Sequence, residues 1–276
     1  MLKRKETSVF FVLIFVCVAG YGLSAIRMQA FRDTLDPTQV VSALQVKPEV
    51  LEIAGGEFRS LLADYLLLKA SVYLGGRYST PEPCKQAVSI LFRQSAALDP
   101  YFFQTCYFTQ AHLPWWRGEL LEDALDIIEI FHEHRDWHWE PGFYLGFDYF
   151  YFLKDNQMAS KYLMEASKRP YAPPLVGFLG TRLAQRSGKT SVSIAFLQSM
   201  YESTENETAK EEIARRIEAL KGVLILEKGI SQYSSGFGHP PESLEQLTAT
   251  GILKTLPVNP ARQNGTYLYK NGKIDF

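Results

Sequence analysis

The stretch PGFYLGFDYFYFLKDNQMASKYLMEASKRPYAP, residues 141–173, decides the fold. Ala159, Leu163 and Ala166 follow a small–large–small pattern at helical spacing. Phe143, Phe147 and Phe150 recur at i, i+4 and i+7 in the segment before it, the period of a helix face. A small residue lets a paired helix come close, and a large one fills the gap beside it. Pro170 and Pro173 stop the second segment. The stretch therefore predicts two helices packed as a hairpin.

The same signal recurs upstream. Ala124, Ile128 and Phe131 repeat the spacing one unit earlier, and Ala87 and Leu91 repeat part of it again. Another helix is predicted over Leu61, Leu62, Tyr65, Leu66, Ala70 and Tyr73, closed by Gly75-Gly76. A further one runs from about Pro83 to Leu98 and is stopped by Asp99-Pro100. The spacing resembles that of tetratricopeptide repeats, whose period is ~34 residues. Pro141 to Pro173 is close to that period, while Pro100 to Pro141 is longer. The resemblance implies an α-solenoid of stacked helix hairpins over residues 57–233, with an inner face that binds extended partners. The alternative is a plain helical bundle. Leu61 to Tyr73 and Ala97-Leu98-Asp99-Pro100 also look like membrane-anchored repeat proteins of bacteria.

Residues 234–276 have a different texture. A small-residue break at Ser234–Gly238 precedes a short helix start at Pro241 to Leu247. Asn271-Gly272 lies between Tyr267-Leu268-Tyr269 and Lys273-Ile274-Asp275-Phe276, a strong hairpin signal. Pro241, Leu244, Leu247, Gly251, Leu253, Leu256, Pro257, Pro260, Tyr267 and Tyr269 match the end of type II secretion pseudopilins. The resemblance implies a small α+β cap. A departure is that no glycine precedes Val9, where prepilin processing needs one. An isolated hairpin is only marginally stable, so the tail leucines must bury. The expected dock is the helix from Glu211 to Lys228, whose Ile213, Ile217, Leu220 and Leu224 form an apolar stripe.

Lys3, Arg4 and Lys5 precede an uncharged run from Ser8 to Ile26, close to the ~20 residues that span a bilayer. Basic residues before it favour a cytoplasmic N-terminus. The expected order is a cytoplasmic tip (1–7), a transmembrane helix (8–26), a linker (27–56), the helical domain and the cap. That places the chain in the inner (cytoplasmic) membrane by a single pass, with its bulk in the periplasm. A signal peptide cleaved near Val18-Ala19-Gly20 is the alternative.

Net charge is −1, so no basic surface points to nucleic acid. Gly188-Lys189-Thr190 ends like a phosphate loop, but Leu183 stands where its first glycine belongs. His132, His134 and His138 form the densest cluster of ligand-type side chains. On one continuous helix His134 and His138 would share a face; Trp137, Trp139 and Pro141 argue that the helix ends between them. No catalytic residue, metal ligand, cofactor or small-molecule substrate is therefore expected. Cys84 and Cys106 leave a disulfide and two buried thiols as alternatives. Within the aromatic run Trp137–Phe152 most rings are expected in the core. Tyr107, Tyr144 and Tyr151 are the candidates for a partner-binding groove, the partner being another protein of the cell envelope. The whole reads as a mainly α protein with a scaffold function and no catalysis. The alternatives are a pseudopilin-like filament subunit and a metal-dependent envelope enzyme.

Overall fold

Proline and glycine set most of the helix ends in the computed structural model, which describes residues 14–28, 46–75, 82–116, 118–270 and 272–275. The protein is mainly helical, with one small two-stranded sheet among the described residues. It forms two compact units, one ending at Leu98 and one beginning at Asp99. Residues 14–28 are helical. Among the described residues no helix is long and apolar enough to cross a membrane. The expected span at residues 8–26 lies partly outside them.

In the first unit, Pro48 occupies the first turn of α1 (Pro48–Gly55), where its missing N–H costs nothing. Part of the expected linker is therefore helix. A 3₁₀ turn, Gly56–Phe58, leads into α2 (Arg59–Leu74), and α3 (Glu82–Leu98) packs on α2. Ala63, Leu66, Leu67 and Ala70 are buried on α2; Val88, Leu91 and Phe92 are buried on α3. Ser95 Oγ donates to Ala63 O at 3.0 Å, which pins the two helices where small residues let them meet.

The second unit contains α4 (Phe103–Trp116), α5 (Glu119–His134), α6 (Glu140–Tyr151), α7 (Asn156–Ala166), α8 (Pro174–Arg186), α9 (Thr190–Ser203) and α10 (Glu207–Phe237). Each packs on its successor, and α4 also touches α6. Asp155 caps α7, its carboxylate accepting from Gln157 N at 2.9 Å and Met158 N at 3.0 Å. Asn206 caps α10 by accepting from Ala209 N. The α5 and α7 patterns hold: Ala124, Ile128, Phe131, Ala159, Leu163 and Ala166 are all buried.

On α6 the expected register holds at Phe143 and is corrected beyond it. Phe143 is half-buried and packs on the cluster of Ala159, Leu163 and Ala166, but Phe147 is half-buried and Phe150 exposed, whereas Gly142, Leu145 and Gly146 are buried. The cause is steric. A Cβ on Gly146 would lie 2.6 Å from Leu163 Cγ and 3.2 Å from Ala159 O. The small residues of α6, not its large ones, admit α7.

The tail follows α10 as α11 (Glu245–Ala249) and the hairpin β1 (Leu268–Lys270) and β2 (Lys273–Asp275). Tyr269 pairs with Ile274, and Gly272 takes φ 75° in the turn. Leu244, Leu247, Tyr267 and Ile274 bury against Val223, Leu226 and Tyr233 of α10. The tail thus docks on α10, but about two turns beyond the expected place. Ile213, Ile217 and Leu220 cluster instead with Leu197 of α9 and Phe178 of α8, and Leu224 is half-buried. The expected break at Ser234–Gly238 is also corrected. The helix continues to Phe237, with Phe237 stacked on Tyr233 at 4.4 Å, and ends at Gly238 in the left-handed conformation, φ 76°.

Candidate functional site

The three candidate tyrosines fall on neighbouring helices of the second unit. Tyr107 is on α4, and Tyr144 and Tyr151 are on α6. Tyr107 and Tyr151 are exposed and Tyr144 is half-buried. Burial, aided by Cys106, Glu140 and Tyr107 as neighbouring acids, pushes the Tyr144 hydroxyl up to about 12, so it stays a neutral donor. Tyr151 stacks on Phe147 at 5.4 Å and meets Trp115 at 5.9 Å, with the Lys154 ammonium 5.1 Å from its ring. α4 continues through Pro114, so Trp115 and Trp116 extend this aromatic edge. Trp115 is exposed and belongs with the candidates.

Beneath these rings lies a polar pair. Gln110 Nε2 donates to Asp148 Oδ1 at 2.9 Å, joining α4 to α6. Asp148 is wholly buried, and its Oδ2 and Gln110 Oε1 have no hydrogen-bond partner. Burial pushes the Asp148 carboxyl up to about 7, against the opposing pull of Gln110. Cys106 is buried nearby and burial pushes its thiol up, so it is not a reactive thiolate. Cys84 is half-buried, and all three cysteines are free. No spacing pattern in the sequence singles out Asp148. Its one signal is to be the lone carboxylate inside the aromatic run 143–152.

The histidine cluster is split by the helix end. α5 stops at His134 and α6 begins at Glu140, so His134 and His138 do not share a helix face. His132 is buried and reaches Glu165 at 3.3 Å; burial holds its imidazole below the usual range. His134 Nδ1 lies 2.7 Å from Ile130 O, and His138 Nδ1 accepts from Arg135 Nε at 2.9 Å. Arg169 closes the corner by donating to His132 O (2.7 Å), Arg135 O (2.6 Å) and His138 O (3.1 Å). His132 O belongs to the last turn of α5, where a helix end leaves carbonyls without intrahelical partners, and Arg135 O also accepts from His138 N at 3.1 Å. Among the described residues, no three ligand-type side chains converge to hold a metal ion.

The first unit carries a different kind of surface. Leu61, Tyr65, Leu68 and Val72 are 65%, 56%, 67% and 60% exposed. Their spacing puts them on one side of α2, away from its buried Ala63, Leu66, Leu67 and Ala70. α2 is therefore apolar on two faces and covered on one. Comparisons with family models, curated proteins and solved structures return no match.

Proposed function

We propose that this chain is a membrane-anchored, tetratricopeptide-like scaffold that holds another envelope protein on the periplasmic side, in a secretion, pilus or export assembly. The observation that carries the reading is the uncovered face of α2. Monomeric proteins rarely leave a long contiguous apolar stripe in water. Spacing of four and three residues along one helix suits the apolar seam of a second helix. α2 holds only Arg59, Asp64 and Lys69 as charges, so it lacks the basic face of a helix that lies on lipid headgroups. Tyr107, Tyr144, Tyr151 and Trp115 offer a second contact edge, rich in the residue types that dominate binding hot spots.

The test is a photo-crosslinker at position 65, and separately at position 107, in intact membranes. The expected result is a discrete protein adduct from position 65, lost in L61D/L68D. Lipid adducts alone, or none from either position, would overturn the reading. A reporter fused after Phe276 should be active only outside the cytoplasm. A second reading, a pseudopilin-like filament subunit, draws support from the helix-plus-hairpin tail on the 31-residue α10. N-terminal processing just before Val9 would favour it.

A further inference from the structure

The tail does more than cover α10: it walls a cleft. A space of about 670 Å³ opens between the end of α8, the middle of α10 and the hairpin. Ligand sites span ~300–1,000 Å³. One wall is the hairpin, with Lys270 and Lys273. These two residues are directly paired in the ladder, so their side chains emerge together on one face. Like charges placed opposite each other are destabilising unless an anion lies between them. Both lysines are exposed. Arg186, at the end of α8, adds a third cation to the rim.

The facing wall carries acceptors. Gln185 is 4% exposed; its Nε2 donates to Ile274 O at 2.9 Å, while its Oε1 is buried with no partner. Glu227 lines the cleft from α10, with Oε1 already accepting from Thr190 Oγ1 at 2.8 Å. Ile230 and Leu268 supply apolar surface between the two walls.

We infer that this cleft binds an N-acyl amino-acid carboxylate with an apolar side chain. Its carboxylate would sit between Lys270 and Lys273. Its amide N–H would face Gln185 and Glu227, and its side chain would lie on Ile230 and Leu268. Two sources share that chemistry: the C-terminus of a polypeptide and a free acylated amino acid. The inference is independent of the scaffold reading, because it uses neither α2 nor the tyrosines of α4 and α6.

The test is calorimetric titration of the full chain in detergent with four probes. These are a hexapeptide ending in Leu with a free carboxylate, the same peptide as its C-terminal amide, N-acetyl-leucine, and inorganic phosphate. The expected result is saturable binding of the free-acid peptide, at least ten-fold weaker binding of the amide, and no competition by phosphate. K270Q/K273Q, two exposed positions that carry no core, should weaken the free acid at least ten-fold. N-acetyl-leucine binding as tightly as the peptide would assign the site to a free ligand. Peptide binding ten-fold tighter would assign it to a chain terminus. Equal binding of acid and amide, displacement by phosphate alone, an unaffected K270Q/K273Q variant, or no saturable binding of either carboxylate would each overturn the inference.

Discussion

Gly222→Ala separates helix propensity from tail docking, because the two effects have opposite sign. Gly222 lies within α10, where alanine should gain ~1 kcal/mol of helix stability. But an added Cβ would fall inside the Tyr267 hydroxyl and 2.8 Å from its Cζ. Tyr267 is buried, and its hydroxyl donates to Ala219 O at 2.8 Å. Displacing the ring loses that hydrogen bond, ~1 kcal/mol, and uncovers apolar surface worth roughly 2 kcal/mol. The net expectation is a loss of about 2 kcal/mol, or a fall in Tm of about 4–8 °C for a unit of this size. Gly236→Ala is the control: nothing lies within 4 Å of its added Cβ. It should leave Tm unchanged or raise it. Gly222→Ala/Tyr267→Phe should recover part of the loss, since the hydroxyl is the group in the way. Urea unfolding followed by tryptophan-free tail proteolysis reads both effects. A Gly222→Ala chain as stable as Gly236→Ala, with unchanged protease resistance beyond residue 238, would refute the Tyr267 latch.

Arg169→Ala should cost roughly 2–4 kcal/mol, because it strips three charge-assisted hydrogen bonds from the end of α5; an unchanged urea midpoint would remove its role as the corner clamp. Ala159→Trp should lower stability by roughly 1–3 kcal/mol or more, since Ala159 is fully buried where α7 crosses Gly146; a thermal melt that does not move would place it outside the contact. Asp148 predicts a pH dependence. Its folded value of about 7 is raised above the ordinary 3.8, so the stability it contributes is complete below about 4 and lost as pH rises through about 7, with an upper bound of roughly 4 kcal/mol. Asp148→Asn should therefore raise the urea midpoint at pH 8 far more than at pH 4.5; equal shifts at both would show that Asp148 ionises freely.

Local signals in the sequence are legible where one interaction dominates. Asn271-Gly272 specified its hairpin because few other residue pairs suit that turn. Ala159 and Ala166 marked the α7 contact because a small residue inside a helix gains little except close approach. On α6 only Phe143 of the three phenylalanines packs on the α7 core; three phenylalanines at helical spacing mask the signal of Gly142 and Gly146. The glycines nevertheless decide which side faces α7. Ser234–Gly238 reads as a break by propensity, but Tyr233 anchors the helix in the tail core and Ser234 Oγ bonds back to Ile230 O. The burial of Asp148 depends on α4 reaching α6 across an intervening helix, which no local pattern encodes. The cleft beside Lys270 and Lys273 is equally non-local, since residues 185 and 274 meet across the whole length of α9 and α10.

The tail latch also sets an order of events during synthesis. Val223 and Leu226 emerge from the ribosome well before Tyr267 and Ile274, which cover them. At ~5–20 residues per second the gap is roughly 2–9 s. For that interval the C-terminal half of α10 presents its apolar side to whatever is near. A chaperone that shields this side and departs when the hairpin arrives would leave no trace in the finished fold. A stop codon placed between residues 238 and 267 would make that transient exposure permanent, turning a brief step of assembly into a substrate for quality-control proteases.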